Sequence, residues 1–536
     1  MRIEELSLRE KIGQTLIHMP GPEKEKAKYG SIKSFFETNP VGGIFSLNRE
    51  GENFSYNLLE RYQEYFNASP YPIIQADDME FGAGSNIEDL TALPHLMTLG
   101  AANDEVLAYN YGKSLAMEAR CAGVNMCFCP VADLSLNPLN PLVNHRAVSD
   151  EPDLTIRILK NIILGMQENG VAATIKHFPG DGTDFRDQHL CTTANTLSVE
   201  KWHEKSGRVF KTLIDEGVYA IMTGHLSFPA YQTEQLRGIY PPASLSFEIT
   251  TRLLKEELGF NGVVVTDALV MAGFKAYYDD EKADIECFKA GSDLFLWPHP
   301  NYINNLEKAI KNGEVSMERL DDAVSRILKM KEKLGLYTPG YQTGVSLTPE
   351  IKDFSRQTGE KIAEKSVTLV KNLKNVLPLQ KQKIKKLLVV GIASTEENYR
   401  KIKYFEEAFA KRGVKTDIQQ NLLFEQNGYQ DTVSQDYDHV LFVINRYPHH
   451  PIGPQSFWGN EAESIWAANS IDPGKVIVIS LGNPYYVNEY FERIGTFINS
   501  YSYTSFSVEA TVAALLGEIE FMGRTPVNLC MDKFKA

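Results

Sequence analysis

The first 340 residues repeat one pattern, a short apolar run followed by a longer amphipathic stretch. The runs occupy residues 14–19, 42–47, 71–76, 124–131, 172–177, 219–225, 262–267 and 292–298, and Gly, Pro or Asn bounds most of them. Runs this short and this continuously apolar suit strands covered on both faces, the condition of a parallel sheet. Helical periodicity fills the intervals, as at residues 105–121, 154–169, 198–216 and 246–258. Eight buried strands alternating with helices predict an α/β fold built on a (β/α)8 TIM-type barrel.

Residues 315–336 read as a closing helix, with Ser316 as N-cap and Gly335 near its end. The turn-rich stretch TPGYQTGVSLTPE follows. A second alternation comes after it, with strand-like runs at 387–390, 439–444, 476–481 and 496–499 and helices at 397–412 and 508–516. The predicted organisation is therefore a barrel over 1–338, a linker over 339–355 and a smaller α/β sandwich domain over 356–536.

The charge balance narrows the partners. With 55 basic and 69 acidic side chains the net charge is −14, which argues against nucleic acid, since phosphate backbones need clustered Lys and Arg. The start, MRIEELSLREKIGQTL, has no continuous apolar segment of the kind a secretory signal carries. No stretch approaches the roughly 20 apolar residues that span a bilayer. A cytoplasmic protein without membrane contact is expected. The six cysteines (Cys121, Cys127, Cys129, Cys191, Cys287, Cys530) form no CxxC pair, so free buried thiols are expected, with no zinc knuckle, no redox motif, no metal and no cofactor. There is no GxSxG elbow and no Walker loop. Nothing in the chain indicates an oligomeric state.

A barrel places its chemistry at the carboxyl ends of its strands. Asp77 and Asp78 follow the third run, Asp133 and Arg146 the fourth; Lys176 and His177 end the fifth, His225 the sixth and Asp267 the seventh. The densest stretch is IKHFPGDGTDFRDQH, residues 175–189, in which Gly180 and Gly182 permit backbone angles closed to other residues. Asp187 and His189 lie two apart, so in extended chain they face the same way. The carboxylate then fixes one imidazole nitrogen and leaves the other for proton transfer; an incidental ion pair on a surface loop would have the same spacing. Asp267, directly after a valine-rich strand, suits a nucleophile but equally the N-cap of a following helix.

KHFPGDG with D-x-H, together with GFNGVVVTDALVM, resembles glycoside hydrolase family 3, in particular its β-N-acetylglucosaminidase branch, which includes β-glycoside phosphorylase-like members. SLREKIGQ, ADDMEFG, LPHLMTLGAA, FCPVADLSLNPLNP, AGSDLFLWP and SLGNPYYV continue the resemblance over nearly the whole chain. The resemblance implies a retaining, exo-acting β-glycosidase for terminal β-N-acetylglucosaminides or β-glucosides. It makes Asp267 the nucleophile and His189 the acid/base, oriented by Asp187, and assigns Asp78, Arg146, Lys176 and His177 to sugar hydroxyls. Asp78 fits the D-x-E-x-G spacing, whereas Asp77 suits the cap of a turn. The sequence departs from the family at Asp181, where His is frequent, and at Gln188, where a small hydroxyl residue is usual. Both departures are expected on the surface that meets the leaving group or acceptor. A histidine acid/base leaves water and inorganic phosphate open as acceptors; a strictly phosphorolytic enzyme and a catalytically silent carbohydrate-binding protein are the competing readings. The segment 442–460, with Arg446, His449, His450 and Trp458, is either an arm over the barrel mouth or a surface loop with buried aromatics.

Overall fold

The computed structural model describes residues 2–46, 58–339, 341, 345–423, 433, 435–446 and 456–529. Each of the eight predicted runs holds one strand: Leu16–His18, Gly43–Phe45, Ile74–Asp77, Met126–Cys127, Ala172–Phe178, Ala220–Thr223, Val263–Thr266 and Phe295–Leu296. Neighbours in sequence pair in parallel, and the first strand also pairs with the eighth. The circuit is completed by a bridge between Val265 and Leu294, where the Thr266 amide donates to the Leu294 carbonyl at 3.0 Å. A cluster including Ile17, Met126, Met222 and Val265 fills the barrel, so it is a packed core and not a pore.

Local sequence accounts for the helices around it. Ser7 caps the first full helix, Leu8–Gln14, as half of a capping box with Glu10. Ser316 caps Met317–Lys333 by accepting from the Arg319 amide. The expected helix at 198–216 is two helices, Val199–Glu204 and Ser206–Asp215. The break sets the Trp202 indole directly over Gly207, where a Cβ would stand 2.6 Å from the ring. Trp202 is fully buried, and its Nε1 donates to the Pro179 carbonyl at 2.6 Å.

The second sheet has six strands in the order Thr368–Asn372, Thr496–Asn499, Val476–Ser480, His439–Ile444, Leu387–Ile392 and Thr416–Gln420. The first is antiparallel to its neighbour and the others run parallel. The two outermost strands were not expected; they are half-buried and lack a continuous apolar run. The predicted helix at 397–412 is also split, into Glu396–Ile402 and Tyr404–Ala410. The helix Pro349–Ser366 leads into this sheet and packs on the barrel helices Leu96–Ala102 and Glu105–Cys121.

Loops at the carboxyl ends of this second sheet meet the barrel rim. The Tyr485 hydroxyl lies 2.9 Å from Ser135 Oγ, His95 Nδ1 lies 2.9 Å from Ser502 Oγ, and the Arg524 amide donates to the Ala101 carbonyl at 3.0 Å. Among the described residues no helix is long and apolar enough to cross a membrane. Cys121, Cys127, Cys129 and Cys287 are free and buried as expected, whereas Cys191 is only half-buried, because the loop that carries it lies at the barrel mouth. Cys530 lies outside the described residues.

The opposite end of the barrel is tied by one lysine, whose burial lowers its pKa to about 7. Lys331, fully buried on the closing helix, donates to Gln14 Oε1 at 2.7 Å, to the Gly42 carbonyl at 3.0 Å and to the Pro72 carbonyl at 2.7 Å. These oxygens precede the first three strands, and an apolar side chain would leave all three without this donor. Lys331→Met is expected to lower unfolding free energy by at least about 2 kcal/mol, since an unsatisfied buried acceptor costs about 1–3 kcal/mol. The check is urea unfolding, and an unchanged midpoint would contradict it.

Candidate active site

A cavity of about 360 Å³ opens at the carboxyl ends of the barrel strands. Six of the seven candidate site residues line it: Asp78, Arg146, Lys176, His177, His189 and Asp267. The seventh, Asp187, is buried directly behind His189. Residues from four strand ends or the loops after them thus converge on one space.

One wall is an ion network centred on Glu80, which the sequence reading did not single out. Arg146 grips its carboxylate with two bonds, Nε to Oε2 at 2.7 Å and a terminal nitrogen to Oε1 at 2.6 Å. Lys176 Nζ lies 2.7 Å from Glu80 Oε1 and 3.2 Å from Asp78 Oδ1. Burial alone would raise the Glu80 carboxyl; the Arg146 and Lys176 charges outweigh it and hold the group well below its ordinary range. Lys176 is raised in turn, since Glu80 and Asp78 outweigh its burial. The signal was present in the D-x-E-x-G spacing, which placed a second carboxylate two residues after Asp78. Asp77, by contrast, is buried and turned inward, accepting from the Asp78 amide and from Asn86. Burial pushes it up to about 8, so it serves the turn and not the cavity.

His177 is set by Asp133, which is fully buried. One Asp133 oxygen accepts from the His177 and Asp181 amides at 3.0 and 2.7 Å; the other lies 2.7 Å from His177 Nδ1. The loop Gly180–Gly182 can run here only as glycine at its two ends. Their φ values are +110° and +100°, and a Cβ would come within 2.8 Å of the Ser206 side chain or 2.1 Å of the Leu134 carbonyl.

The two departures from the family pattern are not on the surface where they were expected. Asp181 is buried and accepts from Asn140 Nδ2 at 3.0 Å. Gln188 is buried as well, and its Oε1 accepts from the His225 amide at 2.8 Å. Both residues brace the loop from behind, because the chain around Asp187 folds inward and only His189 reaches the cavity.

On the other side, His189 Nδ1 stands 2.7 Å from Asp187 Oδ1, and the same oxygen accepts from the His189 amide at 2.8 Å. A buried carboxylate holding both backbone and ring is a built arrangement and not a surface coincidence. With Nδ1–H donating to Asp187, Nε2 is the nitrogen turned away from it. Asp267 is half-buried, and one of its oxygens accepts from the Ala268 amide at 2.7 Å. It is not an N-cap, since the next helix starts only at Ala272. Burial would raise Asp267, but the positive potential of His177, His225, His189 and Lys176 prevails and lowers it. His225 is itself depressed by burial, and its ring nitrogens lie 2.9 Å from Ser244 Oγ and 3.0 Å from the Ala268 carbonyl. Lys176, whose charge is itself held by Glu80 and Asp78, is one source of that potential.

Arg446 and Trp458 stand apart from this cavity: Arg446 lies over the Phe457 ring and Trp458 is exposed. His449 and His450 lie outside the described residues. The second sheet reaches the site through Tyr503, whose ring packs edge-on at 6.1 Å against the lining residue Phe81.

The fold and this strand-end cluster define a (β/α)8 enzyme scaffold with paired acidic and imidazole groups. The family model described as the glycosyl hydrolase family 3 N-terminal domain matches residues 7–330, and the chain belongs to that family. A β-N-acetylglucosaminidase/β-glucosidase of Cellulomonas fimi is 30% identical over 85% of this chain and 84% of its own. Among solved structures, the β-glucoside phosphorylase BglX superposes with a TM-score of 0.85 at 28% identity, covering 98% of this chain and 94% of its own. A family 3 β-N-acetylglucosaminidase from Paenibacillus sp. str. FPU-7 does so with 0.83 at 26% identity, covering 98% and 99%.

Asp181 generates a pH prediction. Burial and the neighbouring Asp133 charge push it up to about 6, against about 3.9 for an unfolded aspartate. The folded form keeps a proton that the unfolded chain loses, so this contribution is full below pH 4 and is lost as the pH rises through 6. Asp181→Asn should abolish it: the native protein loses roughly 2–3 kcal/mol between pH 4 and 7 that the variant keeps. Urea unfolding at the two pH values reads the difference, and parallel pH slopes would refute the assignment.

Proposed function

We propose that this chain is a retaining, exo-acting β-glycosidase for terminal β-N-acetylglucosaminides or β-glucosides. The observation that carries the reading is the pairing, in one cavity, of an aspartate kept ionised with an imidazole backed by a buried carboxylate. A protein that only bound sugar would need neither.

In the first step an Asp267 carboxylate oxygen attacks the anomeric carbon as the bond to the leaving-group oxygen breaks. His189 Nε2 gives that oxygen its proton, and Asp187 stabilises the imidazolium before transfer. Asp78, Arg146, Lys176 and His177 hold the sugar hydroxyls, with Glu80 and Asp133 positioning them. In the second step the neutral His189 takes a proton from the acceptor. The acceptor oxygen bonds to the anomeric carbon, and the ester to Asp267 breaks.

The acceptor is water or inorganic phosphate. A carboxylate acid/base would repel an anionic acceptor by about 4 kcal/mol at 4 Å and an effective dielectric of 20; a neutral imidazole imposes no such penalty. The 28% identity and nearly full-length likeness to a protein named as a β-glucoside phosphorylase support admitting phosphate. The likeness to the Cellulomonas fimi protein supports both sugars.

Asp267→Ala should abolish release of the aglycone from aryl β-glycosides, and full activity in that variant would end the proposal. His189→Ala should slow substrates with poor leaving groups about 10²–10⁴-fold and activated aryl substrates far less. Product analysis of aryl β-N-acetylglucosaminide and β-glucoside, with and without phosphate, separates free sugar from sugar 1-phosphate.

A further inference from the structure

A second cavity of about 490 Å³ adjoins the first and shares two of its walls, Val270 and Trp297. It lies beyond the ends of the eighth and first strands, between the segments that follow them. The sugar-facing ions lie across the barrel, at the ends of the third to fifth strands. The two shared residues are fixed together, since the Leu269 amide donates to the Leu296 carbonyl at 3.1 Å. The turn that carries Val270 also touches the proposed acid/base loop: the Ala272 amide donates to the His189 carbonyl at 3.2 Å. The wall shared by the two cavities is therefore carried by a turn bonded to the proposed acid/base loop.

The lining identifies what fits. Met19, Tyr29, Pro298 and Pro300 join Val270 and Trp297 in an apolar wall, with Lys24, Lys28 and the His18–Glu25 pair on the polar side. Met19 and Val270 are 37% and 54% exposed, large apolar side chains that solvent reaches at the sugar site's margin. Trp297 has φ +57°, a left-handed backbone rare for a bulky residue, and its indole Nε1 is buried with no hydrogen-bond partner among the described residues. We propose that this annex is the aglycone subsite and that it takes an apolar alkyl or aryl leaving group against the Val270 and Trp297 wall. The proposal rests on the glycosidase reading above.

The test is kcat/KM for methyl, butyl, hexyl and octyl β-glycosides of the preferred sugar, with Met19→Asp and Met19→Trp beside the native enzyme. Met19 lines the annex and not the sugar cavity. In the native enzyme kcat/KM should rise about fourfold per methylene until the annex fills, as burial of a CH2 group predicts. Met19→Asp should flatten the series and Met19→Trp should cut it short, with methyl glycoside turnover within twofold of native in both. A flat native series overturns the subsite, as does a slope that neither Met19 variant changes. A disaccharide preferred over the octyl glycoside also overturns it, by assigning the annex to a second sugar. Cleavage of none of these glycosides overturns the glycosidase reading itself, an outcome distinct from the other three.

Discussion

Two cations can face the cavity because one carboxylate stands between them. Glu80 pairs with Arg146 and Lys176 at 2.6–2.7 Å, groups from the next two strand ends, and Asp78, 3.2 Å from Lys176, supplies the second negative charge. Removing either ion from water costs several kcal/mol unless a partner compensates, and removing the partner leaves an uncompensated buried charge. The network thus fixes the third, fourth and fifth strand ends relative to one another. It also keeps Lys176 charged, and Lys176 adds to the positive potential that lowers Asp267. The cation wall and the Asp267 carboxylate are thus coupled electrostatically across the cavity.

The opposite half of the site is joined by backbone. The His225 ring lies 3.0 Å from the Ala268 carbonyl, and the His225 amide donates to Gln188, the residue between Asp187 and His189. The turn after Asp267 closes the circuit through the Ala272 amide on His189. Gly273 is part of the same packing, since a Cβ there would stand 2.6 Å from the Gln188 carbonyl. The Asp267 turn and the Asp187–His189 loop are held by one continuous set of bonds, so displacement of one is transmitted to the other. Catalytic groups that must act on the two ends of one breaking bond need this rigidity, because small misplacements cost large factors in rate.

The barrel was legible because each strand is buried on both faces and therefore continuously apolar; all eight runs contained their strand. The outer strands Thr368–Asn372 and Thr416–Gln420 were not, since a half-exposed edge needs no apolar run. The cavity lining was legible where a residue ends or directly follows a strand, as at Asp78, Lys176, His177 and Asp267. It was not where a residue works through a neighbour. Glu80 and Asp133 are carboxylates near strand ends, like many that do nothing, and only three-dimensional pairing separates them. Asp181 and Gln188 were misplaced for the same reason: spacing puts them beside Asp187 and His189, but it does not say which way the loop turns.

That inward turn changes what the two departures mean. A hydroxyl residue at 188 would be too short to span from the loop to the His225 amide, whereas the glutamine carboxamide reaches it at 2.8 Å. An imidazole at 181 would present a ring where the aspartate presents a carboxylate to Asn140 Nδ2. Neither substitution alters an atom that meets the leaving group, so both tune how firmly the acid/base loop is held and leave aglycone preference to other residues. Under the proposed glycosidase reading, the selection of leaving groups falls to the far wall, with Val270 and Trp297, where the turn after Asp267 meets the end of the eighth strand.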